Sequence, residues 1–264
     1  MEKKEGGLVM KIFVMFLLFF CAALAQSAEA NRLPSQSPTP DKISDHDNGS
    51  ADVEDDSNYP YDPAHPISAN LTVASDYVFR GISQTNHLPA LQGGFDWRPP
   101  SGFFASMWGS NVQLPGSTAT LQLDGYVGYV FHFSKDWSLN LGALYLIFAG
   151  DSSLNSWAIP LQGNWKTFSL ELDYSPVWEG GAQNYYVVAG WKGKIIWDFK
   201  LGIYFGYSMF IGDESESNYA DYRIGVSRNI LGLDFDLTEN YVNQAFVNGE
   251  VAGSTLVFSA SKFY

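Results

Sequence analysis

The stretch Trp197-Asp198-Phe199-Lys200-Leu201-Gly202-Ile203-Tyr204-Phe205-Gly206-Tyr207-Ser208-Met209 decides the fold class. Every second residue is large and apolar, and the residues between are charged, small or hydroxyl-bearing. A period of two indicates a β-strand with unlike faces. The run also reaches the roughly ten residues that a tilted strand needs to cross a bilayer. We therefore expect one face to meet hydrocarbon, with Leu201 near mid-membrane, and Gly202 to face water.

Other segments show the same alternation, notably Leu121 to Phe133, Phe168 to Tyr174 and Leu231 to Leu237. A soluble β-sandwich would alternate in the same way, so the period alone does not separate a sandwich from a membrane barrel. The length of the runs favours a membrane barrel over a sandwich, because ordinary strands average only about five or six residues. The sequence thus predicts an all-β protein, an antiparallel transmembrane β-barrel, with a secreted sandwich that binds glycans as the alternative.

The connections alternate between short and long. With a first strand from Ala69 to Ile82, the short connections are Pro99 to Gly102, Ser134 to Asp136, Trp165-Lys166, Lys192 to Lys194 and Asn229-Ile230, and the long ones are Ser83 to Ala90, Gln113 to Ala119, Ala149 to Asn155, Val177 to Gln183, Ile211 to Asn218 and Val242 to Ser254. This pattern gives twelve strands, with both termini periplasmic. Pro160 makes the strand Ser156 to Asn164 the weakest, since proline removes a ladder hydrogen bond, and without that strand the count is ten.

Tryptophans mark the predicted membrane boundaries, because indole rings collect where hydrocarbon meets headgroups. Those near short turns are Trp97, Trp137, Trp165, Trp191 and Trp197, and those beside long loops are Trp157 and Trp178. Trp108 lies in mid-strand and is expected to be a lumen or packing residue.

The alternation also predicts which charged residues line the lumen. The nine acids are Asp76, Asp96, Asp124, Glu171, Asp173, Asp198, Asp221, Asp234 and Asp236, and the four bases are Arg80, Arg98, Lys200 and Arg223. An excess of carboxylates in a confined channel concentrates cations, so we expect a pore for small cationic or neutral solutes. In the alternative, these charges pair with one another and fill a structural barrel.

The first 66 residues are predicted to lie outside the barrel, which would comprise residues 67–264. Residues 1–25 resemble a signal peptide, with early lysines, an apolar run and the small-residue ending Ala23-Leu24-Ala25. Residues 26–66 are acidic and rich in polar residues, typical of a disordered linker. Within it, Asp45 to Gly49 only faintly matches a calcium loop, so a solvated acidic tail is the preferred interpretation.

The stretch Ser75-Asp76-Tyr77-Val78-Phe79-Arg80-Gly81-Ile82-Ser83-Gln84-Thr85 closely resembles the opening strand of the TorF family of proteobacterial porins. Trp108 to Val112 and the aromatic-ended Leu256 to Tyr264 are similar to that family too. The resemblance covers residues 67–264 and implies an outer-membrane porin of a Gram-negative bacterium. It implies no substrate, and the acidic linker lies outside it.

Other functions find little support in the residues. A net charge of -13 argues against nucleic acid as a partner. His87 and His132 are the only histidines beyond residue 66, and neither belongs to a hydrolase or zinc motif, so we expect no enzyme, catalytic residue, metal or cofactor. An outer-membrane β-barrel enzyme is the alternative to this expectation. The expected partners are outer-membrane lipid, small solutes and, through the C-terminal strand, the barrel-assembly machinery.

The first prediction concerns processing. Cleavage after Ala25 would make Gln26 the first residue of the mature chain. The intact mass of protein purified from the outer membrane measures this directly. Retention of residues 1–25 in that fraction would contradict the signal-peptide assignment.

Overall fold

A computed structural model describes residues 66–178, 181–211, 218–243 and 253–264. The predicted signal peptide and all but the last residue of the predicted linker lie outside these ranges. The described residues form a closed barrel of twelve antiparallel strands, which confirms the predicted fold class. The strands of the barrel are β1 Ile67–Ala74, β4 Ala90–Trp97, β5 Phe103–Asn111, β6 Leu121–Ser134, β7 Trp137–Ala149, β8 Ser156–Trp165, β9 Phe168–Val177, β10 Gln183–Lys194, β11 Lys200–Ile211, β12 Tyr219–Ile230, β13 Leu233–Val242 and β14 Gly253–Phe263. Two short strands, β2 Val78–Phe79 and β3 Ile82–Ser83, lie between β1 and β4 along the chain and form a separate two-stranded sheet.

The barrel has a short-turn end and a long-loop end. At the short-turn end the connections are two to five residues long, at residues 98–102, 135–136, 166–167, 195–199 and 231–232. At the long-loop end they are five to fifteen residues long, at residues 75–89, 112–120, 150–155, 178–182, 212–218 and 243–252. The alternation of short and long connections is as predicted, except that residues 178–182 are no longer than residues 98–102 and 195–199. No helix in the described ranges is long and apolar enough to span a membrane.

Several predicted boundaries were wrong. Lys192 to Lys194 is not a turn but the end of β10, and Asn229-Ile230 belongs to β12. The run from Trp197 to Met209 becomes a strand only at Lys200, because Trp197 and Asp198 adopt left-handed backbone angles, with φ of 55° and 59°, in a short 3-10 turn. Leu201 therefore lies near the short-turn end rather than at mid-strand, and the centre of β11 falls near Phe205.

The outer and inner faces of the wall differ as the alternation predicts. Exposed apolar side chains cover the outside, including Met107, Phe205 and Phe258. Their sequence neighbours Ser106, Gly206 and Ser259 lie on the inward face of the wall. An outer belt of this kind matches hydrocarbon rather than water.

Pro160 lies within β8, so the strand predicted as weakest is present and the count is twelve. It aligns with Asp173 of β9 on one side. On the other side, the pairing between β7 and β8 passes directly from Leu141 with Leu161 to Leu144 with Ala158. The ladder therefore accommodates the missing N–H by an interruption beside the proline.

The first strand differs most from its prediction. It ends at Ala74, eight residues before the expected Ile82. Residues 75–89 then turn into the barrel and contain two short strands, β2 Val78–Phe79 and β3 Ile82–Ser83, which pair only with each other. We call residues 75–89 the inner hairpin.

The register can be tested at Phe205, whose side chain is 52% exposed on the outer face. Phe205→Arg should lower the free energy of unfolding by about 2–4 kcal/mol if this site lies at the bilayer midplane, because the charge must enter hydrocarbon. Reversible refolding into lipid vesicles measures the change, with Phe205→Leu as the matched control. Equal tolerance of arginine and leucine would contradict the register.

Candidate functional site

The inner hairpin turns through Arg80 and Gly81, which join β2 to β3. Their φ angles are 48° and 82°, as in the two-residue type I′ turn that suits hairpins. Glycine adopts such angles freely, whereas a left-handed arginine costs on the order of 1 kcal/mol. Contacts elsewhere must hold Arg80 in this conformation.

Asp76 organises the base of the inner hairpin. Its carboxylate accepts hydrogen bonds from the hydroxyls of Ser83, at 2.7 Å, and Thr85, at 2.8 Å. Nδ1 of His87 lies 2.9 Å from its other oxygen. The Thr85 hydroxyl oxygen also accepts the backbone N–H of Tyr77. The two arms of the hairpin are thereby tied together where they leave the wall.

The inner hairpin crosses the lumen from one wall to the opposite one. Near its origin, Tyr77 donates to Gln122 of β6 at 3.3 Å and packs edge-on against Trp108 of β5. At the tip, a Cβ added to Gly81 would lie 3.0 Å from the Cβ atoms of Asp221 and Val242, on β12 and β13. Arg80 reaches β9 and β10, which stand opposite β1 and β4 in the ring of strands.

Arg80 is held by an ion pair and by aromatic rings. Its Nη2 donates to Oδ2 of Asp173 at 2.7 Å, and its Nη1 donates to Oδ1 of Asn184 at 3.2 Å. The guanidinium carbon lies 4.0 Å from the ring centroid of Tyr186, 4.3 Å from that of Trp178 and 5.0 Å from that of its neighbour Phe79. We call Asp173, Asn184, Trp178 and Tyr186 the Arg80 pocket.

The ion pair in this pocket is shielded from water. The side chains of Arg80 and Asp173 are only 4% and 9% exposed. A charge-assisted hydrogen bond and cation–π contacts are both stronger when desolvated, and they offset the cost of burying the charges. Loss of either partner would leave the other buried without its counter-charge.

The long-loop half of the lumen is apolar on one side. Leu144, Leu146 and Phe148 of β7 point inward and pack in one cluster with Tyr77 and Phe79 of the inner hairpin. Alternation alone does not predict this cluster. The signal was available, because the residues from Ala143 to Ala149 are apolar on both faces of the strand.

The short-turn half of the lumen is polar. Asp96 accepts the hydroxyl of Ser106 at 2.5 Å and lies 3.6 Å from Arg98. Nearer mid-barrel, Arg223 stacks on Tyr204, with 4.3 Å between the guanidinium carbon and the ring centroid. This half of the barrel thus presents charges and hydroxyls to its interior.

Twelve of the thirteen residues predicted to line the pore lie inside the barrel. Those on the wall or beside it are Asp96, Arg98, Asp124, Glu171, Asp173, Lys200, Asp221, Arg223, Asp234 and Asp236, and those on the inner hairpin are Asp76 and Arg80. The placement of Asp198 was wrong, because it lies exposed in the 196–198 turn. Lys192 was missed, since it lies on the inward face of β10 rather than in a turn.

The predicted interfacial tryptophans divide into three groups. Trp97, Trp157, Trp165, Trp191 and Trp197 lie at or near strand ends on the outside or in the turns. Trp137 starts β7 and is buried against Trp165, with 5.8 Å between ring centroids. Trp178 does not fit the prediction, because it stacks on Phe79 of the inner hairpin, inside the long-loop end of the barrel. Trp108 is the lumen-packing residue expected.

The Asp76 cluster contains serine, aspartate and histidine but lacks the order of a hydrolase triad. The hydroxyl of Ser83 donates to Asp76 instead of to an imidazole nitrogen, and it also accepts the backbone N–H of His87. Such an arrangement does not activate a nucleophile, which needs a base as its hydrogen-bond partner. In the described ranges, no three His, Cys, Asp or Glu side chains gather as metal ligands.

Comparison with known proteins identifies the family. A family model described as "Bacterial protein of unknown function (Gcw_chp)" matches residues 60–256. The chain belongs to this family. The match does not establish the TorF assignment, which stays a resemblance, and no curated protein matches.

Solved structures show the same fold as this Gcw_chp chain. The KdgM porin matches with a TM-score of 0.51 at 14% identity, over 75% of this chain and 97% of the porin. The NanC porin matches with a TM-score of 0.50 at 11% identity, over 74% and 97% of the two chains. At these identities the likeness concerns the fold alone.

Trypsin provides a test of the Arg80 pocket, since the enzyme cleaves after arginine. Asp173→Asn should weaken hairpin closure by up to about 3–5 kcal/mol, because Arg80 loses its buried counter-charge. Cleavage between Arg80 and Gly81 in the folded protein should then accelerate, as measured by mass spectrometry of the fragment ending at Arg80. Asp234→Asn, distant from the pocket, should leave this cleavage slow. Equal rates in both variants would contradict the assigned role of Asp173.

Proposed function

We propose that this protein is an outer-membrane porin whose long-loop mouth is controlled by the inner hairpin. The observation that carries the proposal is a closed barrel with an apolar outer belt and a charged interior, crossed by a hairpin outside the barrel's strand pairing. Small solutes would cross by diffusion when the hairpin leaves the lumen. The likeness of the fold to two porins supports this function.

The attachment of the hairpin makes movement feasible. β2 and β3 add no strand to the barrel, and the tip is held chiefly by side chains. A backbone bond from the N–H of Gln113 to the carbonyl of Gln84 ties one arm to a neighbouring loop. Release of the tip therefore leaves all twelve barrel strands paired, as a reversible gate requires.

The interior charges favour a weak preference for cationic or neutral solutes. Removing Asp198 from the nine predicted acids leaves eight, and adding Lys192 to the four predicted bases gives five. Asp173 already pairs with Arg80, and Asp76 with three hydrogen-bond donors. Because eight acids against five bases leave an excess of only three acids, we propose a selectivity that salt screens readily.

A plugged structural barrel is the second candidate, favoured by the apolar cluster around Tyr77 and Phe79. An enzyme is disfavoured by the geometry at Asp76, where the serine hydroxyl does not bond an imidazole.

We further propose an outer-membrane location with both termini periplasmic, contacts with lipid through the apolar belt, and assembly through β14.

Conductance in planar bilayers tests the proposed function. Gly81→Val should raise the conductance or the open fraction, because its side chain would collide with Asp221 and Val242 and prevent closure. Gly116→Val is the matched control, since a Cβ there meets no atom within 4 Å although its φ is also positive.

Ion selectivity is read from the reversal potential under a salt gradient. We expect a small cation preference that declines as salt rises and the Debye length falls below about 10 Å. A chloride preference would overturn the proposed selectivity. Negligible conductance of both wild type and Gly81→Val would favour the plugged barrel.

A further inference from the structure

We infer that the Arg80 pocket is a recognition site for guanidinium groups, with Arg80 as its built-in occupant. A solute that carries a guanidinium group would compete with Arg80 for the pocket and favour release of the inner hairpin. The binding part of this inference stands on the pocket alone. The release part rests on the proposed gate.

The acceptors of the pocket match the planar shape of a guanidinium. Asp173 and Asn184 offer oxygens to two different terminal nitrogens of Arg80, at 2.7 Å and 3.2 Å. The Nδ2 of Asn184 donates to the carbonyl of Met209 at 3.4 Å, which directs its Oδ1 toward the guanidinium. An ammonium presents a compact point charge and does not reproduce this two-point contact.

The aromatic rings add a second element of recognition. The ring centroids of Tyr186 and Trp178 lie 4.0 Å and 4.3 Å from the guanidinium carbon of Arg80, and at such distances a ring face attracts a cation. Tyr186 is paired directly with Asp173 across β9 and β10, so ring and carboxylate share the inward face. The pocket thus combines a carboxylate, an amide oxygen and ring faces around one cation.

The pocket belongs to the wall, whereas its occupant belongs to the inner hairpin. Asp173, Asn184 and Tyr186 stand on barrel strands, and Trp178 directly follows β9. Arg80 enters from the opposite wall on a turn with a left-handed backbone angle. Removing the Arg80 side chain therefore leaves the four pocket residues on their own supports.

Calorimetric titration with ethylguanidinium tests the inference on the full chain refolded in detergent. Arg80→Ala should bind this cation at least about tenfold more tightly than wild type, because its pocket lacks the competing side chain. Ethylammonium should bind Arg80→Ala more weakly than ethylguanidinium. The double variant Arg80→Ala with Asp173→Asn should lose the gain, and Arg228→Ala, which removes an arginine that lies over Phe199, should behave as wild type.

Equal affinity of Arg80→Ala and the double variant for ethylguanidinium would overturn the inference. Equal affinity of Arg80→Ala for ethylammonium and for ethylguanidinium would also overturn it. A heat-dependent shift in electrophoretic mobility first verifies that each variant is folded. If Arg80→Ala does not fold, Gly81→Val takes its place, because it displaces the tip while leaving the pocket residues unchanged. Failure of that variant to bind ethylguanidinium more tightly than wild type would equally overturn the inference.

Conductance separates this inference from the proposed function. Ethylguanidinium added at the long-loop side should raise the open fraction of wild type and leave Arg80→Ala unchanged. Binding without conductance in any variant would defeat the porin proposal and the release step while sustaining the site. Conductance without binding to Arg80→Ala would defeat the site and leave the porin proposal in place.

Discussion

The closure of the sheet, where β1 pairs with β14 on one side and β4 on the other, is the constraint from which the remaining structure follows. In hydrocarbon a strand edge would leave backbone N–H and C=O groups without partners, at a cost of several kcal/mol each. Closure removes the edges and divides the side chains into an outer and an inner set. The outer set must then be apolar, and the interior must be filled or wet.

This barrel fills its two halves differently. At the long-loop end the inner hairpin packs against the apolar side chains of β7, and its arginine tip meets a carboxylate on the far wall. At the short-turn end the interior keeps paired and hydrogen-bonded charges. Apolar packing and one desolvated ion pair thus hold the hairpin, while the barrel strands retain their own hydrogen bonds.

The sequence was informative where one physical rule dominates. Alternation predicted the outward and inward faces of β11 because only one face can meet hydrocarbon, and it placed Asp173, Asp221 and Asp234 inside the barrel. The proline-containing β8 also formed, because a single missing N–H interrupts a ladder without ending it.

The sequence misled where a local backbone choice overrides alternation. Residues 75–82 read as the continuation of a strand, yet Arg80 and Gly81 form a tight turn whose stability depends on residues about a hundred positions away, such as Asp173 and Asn184. In the same way, the left-handed angles at Trp197 and Asp198 moved a predicted lumen acid into a turn. Neither choice is visible in periodicity, because both are decided by long-range contacts or by turn geometry.

The inner hairpin begins and ends at neighbouring points on the wall, since Ala74 and Ala90 are paired across β1 and β4. Its insertion into the lumen therefore leaves the register of the surrounding strands unaltered. The inner hairpin is therefore a single contiguous segment whose length and chemistry can vary while the twelve barrel strands stay the same. Descendants of one barrel could thus diversify what passes through the mouth by altering a single contiguous segment together with the few wall residues that meet its tip.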